Sequence, residues 1–582
     1  MSEGRLRAAL HVARERLLAE MLPEGYWEGH LSSSALSTAT AVSAMCVAGD
    51  ERDADIITRG CRWLARTRND DGGWGDTPDS PSNLSTTLLC LAALTLAGES
   101  GDAEAFAGAD AYVTARAGET QARRVEAVTN IYGEDRTFAV PILVNCALAE
   151  LAPWSDIPEL PFELAALPHW LHRALRLQVV SYALPALVAV GVLLHVKSPS
   201  RNLLRRRLRE LVRGRAERVM QRMQPSHGGF LDAPPLTGFV AMSLAATAGA
   251  GHPVVRKCME FIRRSMREDG SWPIDTNLSV WVTGNAVAAL AEAGGVPDEV
   301  AARVGPWLLQ RQYRQEHPFT HAAPGGWGWT HLEGGVPDAD DTAGALRALA
   351  ALRAGDADRA DAGVRWLAGL QNSDGGWPTF CRGWGRLPFD QSCPDITAHA
   401  LMALHDAGRG GVGAGVNLGG AMRRGLGYLR RNQRADGSWT PLWFGNQQVA
   451  GHENPVLGTA RVLQALGRVA PEADMARRGL EYLISAQADD GGWGGASGVE
   501  PTVEETARAV AGLGAWPNDE RAREAVSRGA QWLAGRVEDG RWTEPAPIGL
   551  YFASLWYSER MYPLAWTVEA LGIALKQNPA DK

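Results

Sequence analysis

Cysteine is sparse in this sequence and follows no recognisable pattern. The seven cysteines stand at 46, 61, 90, 146, 258, 381 and 393, without a CxxC pair or zinc-type spacing. That excludes a zinc ribbon and a disulfide framework and fits reduced thiols. A strong charge of one sign is missing too. The 58 Lys and Arg against 66 Asp and Glu leave a net charge of −8, which argues against nucleic acid as the main partner. There is no GxxxxGK[ST] nucleotide loop, no DDxxD cluster and no redox-cofactor fingerprint, so no metal or cofactor is expected. The first residues, MSEGRLRAALHVARERLLAE, are charged and amphipathic and lack the apolar run of a signal peptide. Strand-type alternation is scarce throughout, which points to an all-α chain.

Tryptophan and glycine are abundant, at 21 and 65 in 582 residues. A chain this long implies two domains or one repeat array. The repeat is legible. Asp-Gly-Gly/Ser-Trp ends at Trp74, Trp272, Trp377, Trp439 and Trp493, with variants at Trp327 and Trp542 and a Phe version at Phe230. In the C-terminal half the spacing is about 50–60 residues, a helical-repeat period. Three blocks, GVRWLAGLQNSDGGW (363–377), GLGYLRRNQRADGSW (425–439) and GLEYLISAQADDGGW (479–493), share Gly, two residues, an aromatic, Leu, three residues, Gln and a turn ending in Trp. The first part has helical character and Asp-Gly stops it. An amphipathic helix follows each turn, as in DDTAGALRALAAL (340–352) and DITAHALMAL (395–404). Helix pairs repeated in this way build a solenoid or a closed α/α toroid. The Gln can pin neighbouring helices by hydrogen bonds and the Trp by stacking.

The second signal is acidic. Val336-Pro337-Asp338-Ala339-Asp340-Asp341-Thr342-Ala343 puts three carboxylates in four residues at a helix start. One Asp explains an N-cap; three exceed what a cap needs. Carboxylates this crowded cannot all ionise, so at least one is expected to stay protonated. A protonated acid facing an apolar cavity can give its proton to an alkene.

Together these features resemble the squalene–hopene and oxidosqualene cyclase family. The Trp blocks look like its QW motifs from Gly25-Tyr26-Trp27 to the C-terminus, and DADDTA matches its DxDD motif. The resemblance implies two α/α barrels around a large apolar cavity, one at 30–290 and inserted into the other, formed by 1–29 plus 291–582 and carrying the acid. It implies that Asp340 is the proton donor, flanked by Asp338 and Asp341. In Asp395-Ile396-Thr397-Ala398-His399, a match to the family's Asp-x-Thr-Ala-His, it implies that His399 bonds the donor and that Asp395 orients His399. DxDD favours an unactivated terminal alkene, as in squalene, over an epoxide.

Aromatic faces suit a carbocation because they attract it and do not trap it. By resemblance the cavity wall includes Trp281, Trp329, Phe380, Trp443 and Tyr182, and the run 549–557 supplies Tyr551, Phe552, Trp556 and Tyr557 near the acid. Core packing is the other reading of each. Departures cluster at the termination end. Hopene-forming members carry Gln-Pro after their Gly-Gly block, where this chain reads Gly228-Gly229-Phe230-Leu231-Asp232-Ala233-Pro234-Pro235, so hopene itself is not the expected product.

Residues 177–223 are the membrane candidates. Leu177–Val196 is long and apolar but reads as a buried helix, because Gln178, Ser181, Tyr182 and Pro185 interrupt it. Lys197–Met223 carries ten Lys/Arg against two Glu, with Leu203, Leu204, Leu208 and Leu211 at helical spacing, the composition of an interfacial helix on anionic lipid. A solvated basic face is the alternative. Family members are monotopic and often dimeric, which implies a peripheral protein at the cytoplasmic membrane face and a homodimer as one assembly. A cyclase of another polyprenyl substrate, a C35 chain or an oxygenated squalene, is the alternative to squalene, and two rival readings stand beside the cyclase: a zinc-dependent prenyltransferase-type toroid, and a non-catalytic α/α binding protein.

Overall fold

The computed structural model describes residues 3–98, 102–133, 135–175, 184–318, 320–380, 388–413, 415–550 and 555–577. Helix dominates, and the described strands are short pairs such as Ser33–Ser34 against Trp272–Pro273. The all-α expectation holds, with two closed rings. In the first ring, Ala35–Ala48, Leu84–Ala97, Arg136–Leu148, Leu184–Lys197 and Pro234–Ala248 each pack on the next, and the last returns to the first. In the second, Ser279–Glu292, Ala339–Ala351, Pro394–Arg409, Pro455–Val469, Val503–Gly514 and Met561–Lys576 close in the same way. Outer helices surround each ring, and Glu3–Ala19 packs on Met561–Lys576. Each ring has its own hydrophobic core. Ser279–Glu292 belongs to the second core, ahead of the expected boundary at 290.

The repeat chemistry is local and repeats with little change. In each turn the Trp backbone N–H donates to a Thr hydroxyl on the following inner helix: Trp377 to Thr397, Trp439 to Thr459 and Trp493 to Thr506, at 2.9–3.0 Å. The indole N–H reaches back ten residues to the outer helix, as from Trp377 to the Leu367 carbonyl at 2.7 Å. Gln371 donates to the Gly375 carbonyl of its own turn and to the Ala421 carbonyl in the first turn of the next outer helix, tying the two together. Gln433 and Gln487 repeat this. Gly375 has φ 96° and a Cβ there would lie 2.5 Å from the Arg424 carbonyl oxygen, so the turn requires glycine. The Gly that opens each block is a seat: a Cβ on Gly425 would lie 2.9 Å from the Trp377 ring.

Leu231, Trp329, Phe380 and Phe138 touch both cores while keeping accessible surface, so they line the space between the barrels. The Thr379 carbonyl, next to Phe380, accepts the Ala339 N–H at 2.8 Å, which brings the acidic motif beside these residues.

Candidate active site

Asp338 is the N-cap of Ala339–Ala351: its carboxylate accepts the Asp341 N–H at 2.8 Å. The capping reading thus accounts for one of the three carboxylates. Asp340 and Asp341 occupy the first turn and are buried with it. Asp340 Oδ1 lies 2.6 Å from His399 Nδ1, as expected. Its Oδ2 lies 3.4 Å from Arg461 Nη1, a partner the sequence reading missed.

The three carboxylates separate electrostatically. Burial pushes Asp338 up to about 7, with the Asp340 charge adding to it. Burial pushes Asp341 well above the carboxylate range, and the Asp338 charge pushes it further. At Asp340 burial also acts upward, but Arg461 and His399 more than offset it and hold the carboxyl at about 2. Burial, with the neighbouring charges added, therefore favours the neutral form of the flanking acids, and Asp340 is the strong acid of the group. His399 is lowered to about 4, first by burial, with the Asp340 carboxylate only partly opposing. A neutral imidazole donates its Nδ1–H to Asp340.

Asp395 does not orient His399 as expected. Its Oδ1 accepts the Cys393 thiol at 2.5 Å, and its Oδ2 lies 3.8 Å from Arg461, so it acts on the guanidinium that Asp340 shares. Arg461 also lies over Trp281, 5.6 Å from the ring centroid, and over Phe444 at 5.4 Å. Beneath the acid, a chamber of about 30 Å³ is bounded by Asp341, His399, Arg461, Gln464, Arg508 and Glu569. Arg508 pairs with Glu569 at 2.6 Å, and Gln464 donates to Glu569 at 2.8 Å. Farther along the axis, Arg468 reaches Asp406 and Glu292.

The aromatics divide. Trp281 stands beside the acid, its ring 6.2 Å from His399 and its indole N–H on the Tyr562 hydroxyl at 2.8 Å. Trp329, Phe380 and Trp443 meet edge to face, with centroids 6.1 and 6.0 Å apart, and Phe389 joins them. Tyr557 is buried next to the Tyr562 hydroxyl. Trp556 is a correction. It is 2% exposed, packs edge-on against His452 and donates its backbone N–H to Asp76, so it sits in the seam between the barrels. Tyr182, Tyr551 and Phe552 lie outside the described residues, as does Cys381.

A signal for the missed residues was present. Thr342-Ala343-Gly344, Thr397-Ala398-His399, Thr459-Ala460-Arg461 and Thr506-Ala507-Arg508 share one register. Each Thr seats the preceding Trp N–H, so the residue two positions on faces the ring axis.

Residues 10–272 match the squalene-hopene cyclase N-terminal domain and residues 278–575 the squalene-hopene cyclase C-terminal domain. The chain belongs to the squalene–hopene cyclase family. A probable squalene–hopene cyclase of Sinorhizobium fredii is 26% identical over 95% of this chain and 94% of its own length. The squalene–hopene cyclase of Alicyclobacillus acidocaldarius is 27% identical over 83% and 91%. Among solved structures, ent-copalyl diphosphate synthase from Streptomyces platensis shares the fold, with TM-score 0.63 and 19% identity over 98% of this chain and 99% of that one. In this member of the squalene–hopene cyclase family, the acid group, Trp329, Phe380 and Trp443 all fall within the C-terminal domain match.

Proposed function

We propose that this protein is a class II terpene cyclase that protonates a terminal alkene of squalene or a similar linear polyprene and closes rings through carbocations. The observation that carries the reading is Asp340, held as a strong acid between His399 and Arg461 with the Trp281 ring beside both. An isolated alkene is a very weak base, so the donor must be the strongest acid the site can hold. The proton on Asp340 forms a new C–H bond with the alkene π pair and leaves a cation on the more substituted carbon. The next alkene attacks that cation, and the process repeats. Trp281, Trp329, Phe380 and Trp443 offer π faces to each cation in turn. The proton is the electrophile, so the reading asks for no metal ion.

The same proposal includes peripheral attachment at the cytoplasmic membrane face. Among the described residues no helix is long and apolar enough to cross a membrane. The helix Leu203–Met223 leaves Leu204 80% and Leu211 83% exposed beside its arginines, a pattern that suits lipid headgroups over an apolar boundary. Arg209, counted with the basic face from sequence, is buried instead against Glu159 and Glu163.

The test is incubation of detergent-solubilised protein with squalene, without added metal, beside Asp340→Asn, read by gas chromatography–mass spectrometry. A cyclic product made by the wild type and absent from a folded Asp340→Asn supports the reading. Full activity in that variant defeats it.

A further inference from the structure

The bonds around Asp340 account for the acid. A polar side chain elsewhere on the wall between the barrels has no part in them. Asp275 lies in the link from Trp272–Pro273 to the helix Ser279–Glu292. Trp272 belongs to the first core, while Ile274 and Leu278 pack on the second, so the link crosses from one barrel to the other. Asp275 Oδ2 accepts the Trp329 indole N–H at 3.1 Å and Oδ1 the Asn277 N–H at 3.3 Å. Trp329 lines the space between the barrels, and its carbonyl accepts the Trp281 N–H at 3.2 Å. The wall thus runs from the acid past Trp281 and Trp329 to Asp275. Asp275 is half-buried. Burial is still the main cause that pushes its carboxyl well above the usual range, with the Asp232 charge adding to it. The surface that Asp275 keeps therefore faces an enclosed space and not bulk water. A carboxyl raised that far is neutral and carries a hydrogen. Both bonds named above are received, so neither uses that hydrogen. No hydrogen bond joins Asp275 to Asp232 among the described residues, so Asp232 acts on it through charge alone.

We propose that Asp275 donates a hydrogen bond to an uncharged oxygen of the substrate, so that the chain cyclised here is an oxygenated polyprene and not a plain hydrocarbon. The proposal rests on the cyclase reading above and names the substrate class for it. A hydrocarbon offers nothing to accept the carboxyl hydrogen. Filling the space with one strips water from a polar group without replacement, which costs binding. A hydroxyl or carbonyl oxygen supplies the acceptor and removes that cost. An anionic head group would be set against Asp275 and the charge of Asp232, so the oxygen function is uncharged. The N–H groups of Trp329 and Asn277 fix the orientation of the carboxyl, so the donor points one way. The oxygen stands away from the alkene that Asp340 protonates, because Asp275 lies beyond both Trp281 and Trp329 along the wall. The bond therefore measures chain length. It holds the terminal alkene at Asp340 only when the oxygen lies the right number of isoprene units away. Asp275 is then a specificity-determining residue, and no covalent bond forms or breaks at it.

Farnesol, geranylgeraniol and geranylfarnesol place a terminal hydroxyl at three distances from the reacting alkene. Calorimetry in detergent compares each with the hydrocarbon in which hydrogen replaces the hydroxyl. The protein carries Asp340→Asn, which cannot start the reaction, alone or together with Asp275→Asn or Asp275→Leu. Partition into detergent shifts all three pairs alike, so the dependence on length belongs to the protein. With Asp275 present, one chain length should favour its alcohol about tenfold more than the other two do, the worth of one hydrogen bond to a buried donor. Asp275→Asn keeps an acceptor for Trp329 and an N–H donor for the ligand, and should retain the preference. Asp275→Leu should lose it. A preference equal at all three lengths, or one that Asp275→Leu leaves unchanged, overturns the proposal. The first of these outcomes needs no change at 275, so it decides the matter even if the leucine variant fails to fold. Cyclisation is read separately in the squalene assay above, so the substrate class and the reaction class fail independently.

Discussion

Replacing Arg461 by Met removes the cation that holds Asp340 down, and its consequence depends on pH in a way that can be worked out. Asp340 sits at about 2 in the wild type, so above that only a small fraction carries the proton it must deliver. The rate should therefore fall about tenfold for each pH step upward from 5 to 8. Without Arg461 the carboxyl loses its largest offset to burial. Asp338, buried in the same cluster with no arginine beside it, sits at about 7 and gives the scale. In Arg461→Met more of Asp340 is protonated, but each protonated molecule is a weaker donor. Above pH 7 the two effects nearly cancel, because the resting carboxylate and the late transition state both contain the charge that Arg461 stabilises. Below pH 7 they separate: the variant levels off while the wild type keeps gaining. At pH 5 the wild type should lead by about a hundredfold, or ~2.7 kcal/mol, somewhat less if the His399 bond persists. The assay is the cyclisation rate at saturating substrate across this range, with folding checked by circular dichroism. A wild-type rate flat from pH 5 to 8, or a variant ratio that does not change with pH, refutes the reasoning.

Other outcomes follow from the same structure. Asp338, Glu504 and Glu559 are raised to about 7, 8 and 8, mainly by burial, so the stability they confer is lost as pH rises through those values. His317 and His399 are lowered from 6.5 to about 4 by burial, so theirs is lost as pH falls through that range, but the three acids outweigh the two histidines, and melting temperature should fall as pH rises from 5 to 8. Trp377→Phe removes the indole bond to the Leu367 carbonyl and should cost about 1–3 kcal/mol in denaturant unfolding, leaving the neighbouring repeats in place. Leu204→Asp with Leu211→Asp should abolish flotation with anionic vesicles while cyclisation in detergent persists; undiminished flotation counts against this face.

The fold was legible because its determinants lie close in sequence. Gln371, Gly375 and Trp377 act within one turn, and the bonds they make recur wherever the same letters recur. The acid was legible for the same reason, since Asp338, Asp340 and Asp341 share one helix start. What escaped is what the ring brings together from afar. Arg461 meets Asp340 across 121 positions, and Asp275 meets Trp329 across 54. The family's Asp-x-Thr-Ala-His pattern implied that Asp395 orients His399, whereas its carboxylate accepts the Cys393 thiol and lies toward Arg461, contacts that the pattern does not spell. Trp556 was placed on the cavity wall by resemblance to the family's aromatic patch, whose register the sequence does not fix to one residue, and the Asp76 carboxylate holds its backbone in the seam.

The paired charges along the axis of the second ring also govern traffic. Arg508 with Glu569, Arg468 with Asp406 and Glu292, and Lys576 with Glu292 floor the barrel with ions that a hydrocarbon cannot cross. A hydrocarbon at Asp340 therefore meets a closed end on that side, and a product must leave by the side on which its substrate came in. Each turnover has to be emptied before the next can begin, so release is a step that the strength of the acid does not govern.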